Sequence, residues 1–265
     1  MRFCSIASGS SGNCSYIGTE NTHVLVDAGI SGRRIEKGLS SLSLSCRDID
    51  AILLTHEHTD HIQGLGVLAR KYGIPIYASA GTAEALTRQK TTGEIPSGLL
   101  HTIREEERFS VKELSILPFA LPHDAAEPVG FRVEYQEKAV GIATDLGHYG
   151  GWIIEALRDL DAVLLEANHD VGMLETGSYP YALKQRILGD HGHLSNENAG
   201  RLLCRILGEK MKAVLLGHLS KENNYEALAY LTVCSEVTMG DNPYTGEELP
   251  IYVAPRDAAS RIVTI

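Results

Sequence analysis

No stretch of this 265-residue chain approaches the roughly 20 consecutive apolar residues needed to span a bilayer. The opening MRFCSIASGSSGN has too short an apolar run for a secretory leader. Basic runs are also missing. Lys and Arg number 24 against 34 Asp and Glu, giving a formal charge of −10, so nothing attracts a polyanion in general. A nucleic-acid role therefore needs a local cationic focus, which metal ions supply. Cysteine is sparse: Cys4, Cys14, Cys46, Cys204 and Cys234 are scattered and form no CxxC pair. That pattern gives neither a disulfide framework nor a cysteine zinc site, and reduced, buried thiols in a cytoplasmic protein are the expectation. No Gly/Ser/Pro-rich linker divides the chain, so one domain over residues 1–265 is expected.

What is present is an alternation of short apolar runs and amphipathic stretches. Strands are expected at Arg2–Ala7, Cys14–Gly18, His23–Asp27, Ala51–Thr55, Ile74–Ala78 and Leu114–Leu121. Gly130–Tyr135 and Ala139–Thr144 form a hairpin over Gln136–Lys138, followed by Ala162–Glu166, Ala213–Leu216, Pro250–Ala254 and Arg261–Ile265. Helices are expected near Gly32–Leu42, Leu65–Tyr72, Ser79–Arg88, Gly151–Arg158 and Asn224–Ser235, and from an N-cap at Ser195 to Leu207. Two sheet-plus-helix halves of similar length predict an α/β (α+β) sandwich, with two sheets inside and helices outside.

The strongest feature is Leu53-Leu54-Thr55-His56-Glu57-His58-Thr59-Asp60-His61. His56 and His58 leave an apolar strand two positions apart, so extended backbone points both to one side. Asp60 and His61 follow where the chain turns into a helix. So many titratable groups in close proximity must be desolvated or repel one another unless a cation compensates. Imidazole plus carboxylate suits zinc and also accepts manganese or iron. His123, Asp145 and His218 each follow an apolar strand. Singly, such a residue is most simply a structural or turn residue; together, at strand C-termini, they are candidate ligands.

HxHxDH followed by a distant His, Asp and His resembles the metal-binding pattern of the metallo-β-lactamase superfamily, in the same order and over essentially the whole chain. The resemblance implies a four-layer αβ/βα sandwich holding two divalent ions, Zn²⁺ or Mn²⁺. His56, His58 and His123 would hold the first, Asp60, His61 and His218 the second, with Asp145 as a bridge. Ser8-Gly-Ser-Ser-Gly-Asn13, Leu165-Glu-Ala-Asn-His-Asp170, Tyr179-Pro180, Gly192-His-Leu-Ser-Asn196 and Gly217-His-Leu-Ser220 are similar to the WalJ (YycJ, VicX) family of bacterial proteins. That family resembles 5′-to-3′ DNA exonucleases and is related to RNase J and RNase Z. The segment between Asp145 and His218 is too short for the β-CASP insertion of RNase J.

Two divalent ions can clamp the attacking and leaving oxygens of an in-line displacement, so a phosphodiesterase or nuclease acting on DNA or another phosphodiester is implied. Asp60 would also orient the attacking water. By resemblance to RNase Z-like enzymes, Glu166 orients His193, and His193 protonates the leaving group. The glycine-rich Ser8–Asn13 loop either cradles a phosphate through its amides, with Ser10, Ser11 and Asn13 facing substrate, or is a tight turn between strands. It lacks the Lys-Ser/Thr of a P-loop. His169 has no ligand slot left and takes a structural or substrate-contacting role. A hydrolase of small esters, thioesters or lactones is the alternative on the same ligands. Diiron redox chemistry typically places a carboxylate where His58 stands, and a non-catalytic member would have lost ligands.

Overall fold

Aliphatic and β-branched runs broken by Gly, Asn and Asp turns fold into two seven-stranded mixed sheets. The computed structural model describes residues 1–265. The first sheet contains β1 (Arg2–Ala7), β2 (Cys14–Gly18), β3 (His23–Val26), β4 (Ala51–Leu53), β5 (Ile76–Ser79) and β6 (Leu100–Ile103). The second runs through β7 (Phe109–Val111), β8 (Leu114–Ala120), β9 (Val129–Tyr135), β10 (Lys138–Ala143), β11 (Ala162–Glu166), β12 (Ala213–Gly217) and β13 (Ile251–Val253). The last strand, β14 (Val263–Thr264), returns to pair with β1. Each sheet is antiparallel at one side and parallel at the other: β3 to β6, and β10 to β13. Parallel strands require crossovers, and helices supply most of them.

Helices α1 (Gly32–Ser40), α2 (Thr59–Ile62), α3 (Leu65–Tyr72) and α4 (Ala80–Arg88) belong to the first half. In the second half come α5 (Gly151–Ala156), α6 (Val171–Thr176), α7 (Tyr181–Leu188), α8 (Asn196–Ile206) and α9 (Glu226–Met239). Phe3, Ile17, Val26 and Leu53 of the first sheet meet Ile116, Phe131, Ile142 and Leu164 of the second in a central core. Ile35, Leu39 and Leu68 cover the outer face of the first sheet, and Leu157, Leu202 and Val233 that of the second. The result is the expected αβ/βα layering. Each such side chain contributes roughly 1.5–3 kcal/mol on burial.

Most boundaries fall within a few residues of expectation, and Ser195 caps α8 by accepting from the Asn198 amide. The helix expected over Asn224–Ser235 runs instead from Glu226 to Met239. Asn224 is diverted: its Nδ2 donates to the carbonyls of Ala167 and Asn168 and to Asn196 Oδ1. Strands β6 and β7 and helices α6 and α7 lie outside the expected set. The middle of β6 is exposed, and α7 buries no residue, so neither carries the apolar periodicity that signals an element. No helix is long and apolar enough to cross a membrane.

Candidate metal centre

The first half of the site grows from β4. His56 is fully buried, and extended backbone at His58 (φ −62°, ψ 148°) leads into α2, which carries Asp60 and His61. Neighbouring groups fix the rings. Thr55 Oγ1 lies 3.0 Å from His56 Nδ1, and Asp27 Oδ2 accepts from His61 Nδ1 at 2.8 Å. Asp27 also accepts from the Thr55 amide and hydroxyl at 2.9 and 3.0 Å. Anchoring one ring nitrogen aims the other inward and sets the tautomer. Gly29 lets this loop close on α2, because a Cβ there would sit 1.6 Å from the Asp60 carbonyl oxygen.

The second half is assembled from separate strand ends. His123 follows β8, Asp145 follows β10, Glu166 ends β11, His193 precedes α8 and His218 follows β12. Glu166 is fully buried, and its Oε2 accepts from the Leu146 and Leu194 amides at 3.0 and 3.1 Å. Its Oε1 accepts from His193 Nδ1 at 2.8 Å and His218 Nδ1 at 3.0 Å. His123 Nδ1 is held 3.0 Å from the Gly192 carbonyl. Asp27, Asp145 and His218 have φ of 63°, 65° and 54°. Left-handed backbone at a non-glycine residue costs on the order of 1–3 kcal/mol. The strain turns each side chain at a strand end toward the centre.

The two halves meet. His123 Nε2 is 3.3 Å from His58 Nδ1, and His218 Nε2 is 3.4 Å from Asp60 Oδ2. Asp145 lies between, with Oδ2 3.3 Å from His61 Nε2 and Oδ1 3.3 Å from His218 Nε2. Oδ1 is also 3.9 Å from His123 Nε2 and 3.7 Å from His193 Nδ1. Donor atoms within 4.8 Å of one another form overlapping sets: His56, His58 and His123; His56, His61 and Asp145; Asp60, His61 and His218; and Asp145, Glu166, His193 and His218. All seven ligand candidates are thus in one cluster.

Burial opposes the Asp145 charge, but the imidazoles of His218 and His61 hold its carboxyl well below the usual range. Glu166 is likewise drawn down to about 2, with His193 overcoming burial. Burial would lower His218, yet Asp145, Asp60 and Glu166 raise it to about 10. For His56, burial and the neighbouring His61 imidazole outweigh Asp145 and push it well below its ordinary value. Its Nε2 and Asp145 Oδ2 are buried without a hydrogen-bond partner, each a cost of about 1–3 kcal/mol. A divalent cation satisfies both. Nitrogen and carboxylate donors without thiolate suit zinc, manganese or iron, so these residues fit such ions.

A cleft of about 240 Å³ opens onto the cluster, lined among others by Ser10, Asp60, Asn168, Arg186 and His193. Ser10 is exposed at its rim, and Ser11 beside it in the turn is also exposed. Asn13 departs from the expectation that it faces substrate beside them. It is 6% exposed, its Nδ2 donating to Asp60 Oδ2 at 3.3 Å and lying 3.0 Å from His61 Nε2. The loop reverses around it, since Gly9 N donates to Asn13 Oδ1 and Asn13 N to the Asp60 carbonyl. His169 is buried beside Ser195 with neither ring nitrogen partnered. Sequence reasoning missed Asp27, Asn168 and the Arg186–Asp124 ion pair at the rim. Asn168 lies in the family-like Leu165–Asp170 run and Asp27 closes an apolar run at a strand end, but neither feature marks a role at the centre, and the ion pair carries no local signal.

This layering and this ring of imidazoles and carboxylates define the metallo-β-lactamase class. The model of the beta-lactamase superfamily domain matches residues 22–218. The exodeoxyribonuclease WalJ of Streptococcus pneumoniae is 40% identical over 265 residues, covering 100% of this chain and 98% of that protein. The exodeoxyribonuclease YycJ of Bacillus anthracis is 37% identical over 235 residues, 88% of each chain. The chain belongs to the WalJ/YycJ family of that superfamily. Among solved structures, Bacillus subtilis YhfI aligns with a TM-score of 0.69 at 16% identity, over 98% of this chain and 100% of that one. The human short-form tRNase Z aligns at 0.66 and 18% identity, over 100% of both. These two likenesses establish the fold.

Proposed function

We propose that this chain is a two-metal phosphodiesterase that shortens DNA from the 5′ end, within one domain. The observation that carries this reading is the Glu166–His193 pair: Oε1 accepts from Nδ1 at 2.8 Å beside Asp145, with His193 lining the cleft and Glu166 buried behind it. His56, His58 and His123 would hold one ion, Asp60, His61 and His218 the other, with Asp145 touching both groups. Divalent ions, Zn²⁺ or Mn²⁺, supply Lewis-acid chemistry when bound, lowering the pKa of water and offsetting charge on a phosphoryl oxygen.

The chain's own residues do the rest. His193 makes no hydrogen bond through Nε2, which leaves that nitrogen to protonate the departing alkoxide. Glu166 stabilises the imidazolium and fixes its orientation. Asp60, partly exposed at the cleft, orients the attacking water. Ser10 at the rim, with exposed Ser11 beside it, receives the strand. Both curated relatives carry names as exodeoxyribonucleases, which supports DNA as substrate.

Digestion of 5′- and 3′-labelled DNA and RNA with added zinc or manganese tests the proposal, alongside an Asp60→Ala, His61→Ala variant and a thioester and lactone panel. Products shortened from the 5′ end of DNA, absent with the variant, are expected. Preferential turnover of a lactone or thioester would replace the reading with small-molecule hydrolysis. Equal cleavage by the variant would assign the activity to a contaminant.

A further inference from the structure

We propose that Arg256, with the Ser10–Ser11 turn, forms a binding subsite for a second phosphate of the nucleic-acid strand, next to the one being cleaved. The inference rests on the phosphodiesterase reading and deepens it. Arg256 is half-buried, on the segment after β13. Its Nη2 donates to the Leu219 carbonyl at 2.7 Å, one residue after the ligand candidate His218, and its Nη1 to Ser10 Oγ at 3.4 Å. The guanidinium sits directly on Gly9 (φ +152°), where a Cβ would lie 2.6 Å from Nη1.

Three features make this a seat for an anion. First, the charge is free. Arg34, Arg108 and Arg201 are each matched to an acid, Asp257, Glu134 and Glu236, whereas Arg256 makes no ion pair. The acid next along the chain, Asp257, is already taken by Arg34. Arg256 has only neutral oxygen acceptors. Second, the turn offers donors: the Ser10 and Ser11 amides donate to no group in the chain, and both residues are exposed. Third, the seat is fixed to the centre. Ser8 N donates to the Pro255 carbonyl at 3.3 Å, and His218 N donates to Ser8 Oγ at 2.8 Å. The cationic segment, the turn and a ligand strand end are therefore knit together. Planar guanidinium plus adjacent amides is the donor geometry that phosphate selects. A phosphate there, with another at the metal centre, requires a substrate carrying phosphates in series. This is how a chain of net charge −10 grips a polyanion.

The test uses the full-length, metal-loaded protein. Binding of a fluorescent single-stranded oligodeoxynucleotide is measured against salt in a His193→Ala background, where turnover is slow. Arg256→Gln is expected to weaken affinity roughly tenfold or more. It should also flatten the slope of log K against log salt by about 0.7, one phosphate contact. Arg256→Lys should keep the slope while losing part of the affinity, and exposed Arg47→Gln should leave the slope as it was. In the His193-intact enzyme, the ratio of kcat/KM on the oligonucleotide to that on bis-p-nitrophenyl phosphate should fall about tenfold with Arg256→Gln. An unchanged slope, or equal losses on both substrates, overturns the subsite while DNA cleavage stands. Wild-type protein that neither binds nor shortens the strand overturns both readings.

Discussion

The two halves of the centre are built in opposite ways. On the first sheet, His56, His58, Asp60 and His61 come from one continuous run, and the positions of their backbone atoms are fixed by a strand end and a single turn of helix. On the second, His123, Asp145, Glu166, His193 and His218 come from five separate segments, brought together because β10, β11 and β12 are neighbours in one sheet that also holds β8, separated from β10 by β9. Local connectivity places the ligands of the first half, with Asp27 as its one strained, buried carboxylate, whereas the second relies on strain and a buried carboxylate at several strand ends. Asp145 and His218 are held in left-handed backbone, and Glu166 gathers hydrogen bonds from both amides and both imidazoles around it. The contiguous half should therefore lose one function per substitution, and the dispersed half several at once.

The sharpest way to break that contrast is Asp145→Ala set against His58→Ala. Asp145 faces His61, His123, His193 and His218, so its loss leaves buried imidazoles of both groups without their carboxylate. Metal affinity should fall by roughly 10²–10³-fold in both groups, with cleavage lost at ordinary metal concentrations. His58→Ala should deplete one ion per chain and leave the other. Elemental analysis after dialysis reads this directly, and equal depletion by the two variants would mean the halves do not differ in this way.

Next in size is His193→Ala. The side chain is anchored by Glu166 rather than placed among the Asp60 and His58 groups, so turnover should slow by roughly 10²-fold or more, as for loss of a general acid. Metal content should hold. Single-turnover rates beside metal analysis separate these outcomes, and loss of an ion would move His193 into the coordination shell.

The same contrast decides what was legible in the sequence. The contiguous half could be read from spacing alone, because no solvated loop needs that run of titratable residues. The dispersed half was readable only as strand-end residues whose meaning came from resemblance to a known pattern. Neither route reaches Asp27, which acts through Thr55 and His61 and looks like any acid ending a strand. Nor does either reach the role of Asn13, which the glycine-rich sequence of its loop offers to substrate. The loop's reversal depends on hydrogen bonds to Asp60, far along the chain, and no local pattern encodes them. Arg256 and Arg186 were invisible for the same reason. Of the fold, elements with two-residue or 3.6-residue apolar periodicity were recovered, and those with exposed faces, β6 and α7, were not.

Asp27→Asn tests whether the contiguous half is as self-sufficient as its sequence suggests. Asparagine keeps the shape but removes the charge that His61 Nδ1 donates to, at 2.8 Å. Losing a partner that orients a ligating imidazole typically weakens metal binding by about 10- to 100-fold. The loss should fall on the Asp60, His61 and His218 group, leaving the His56, His58 and His123 group loaded. A competition titration with a chromophoric chelator distinguishes the two, and equal weakening of both would show that the halves are coupled through Asp27.

The smallest expected effect concerns Glu57, which sits inside the contiguous motif without joining the ligand cluster. It is 9% exposed, and its Oε1 accepts from the Ala126 amide at 2.8 Å while Oε2 lies 3.5 Å from Thr82 Oγ1. The carboxylate therefore ties the run bearing His56 and His58 to the loop just after His123, and to the start of α4. Removing it in Glu57→Ala leaves a partly buried amide without its acceptor, a loss of about 1–3 kcal/mol. At the scale of this chain that corresponds to a fall in Tm of roughly 2–10 °C. Because Glu57 reaches the His123 loop through the backbone and not through the ring, ion affinity should drop by less than about tenfold, below the Asp27→Asn range. Thermal unfolding of metal-free protein isolates the first effect, and chelator competition the second. A larger loss of affinity than of stability would show that Glu57 orients the ligands, and the motif would then owe its geometry to the distant half as well.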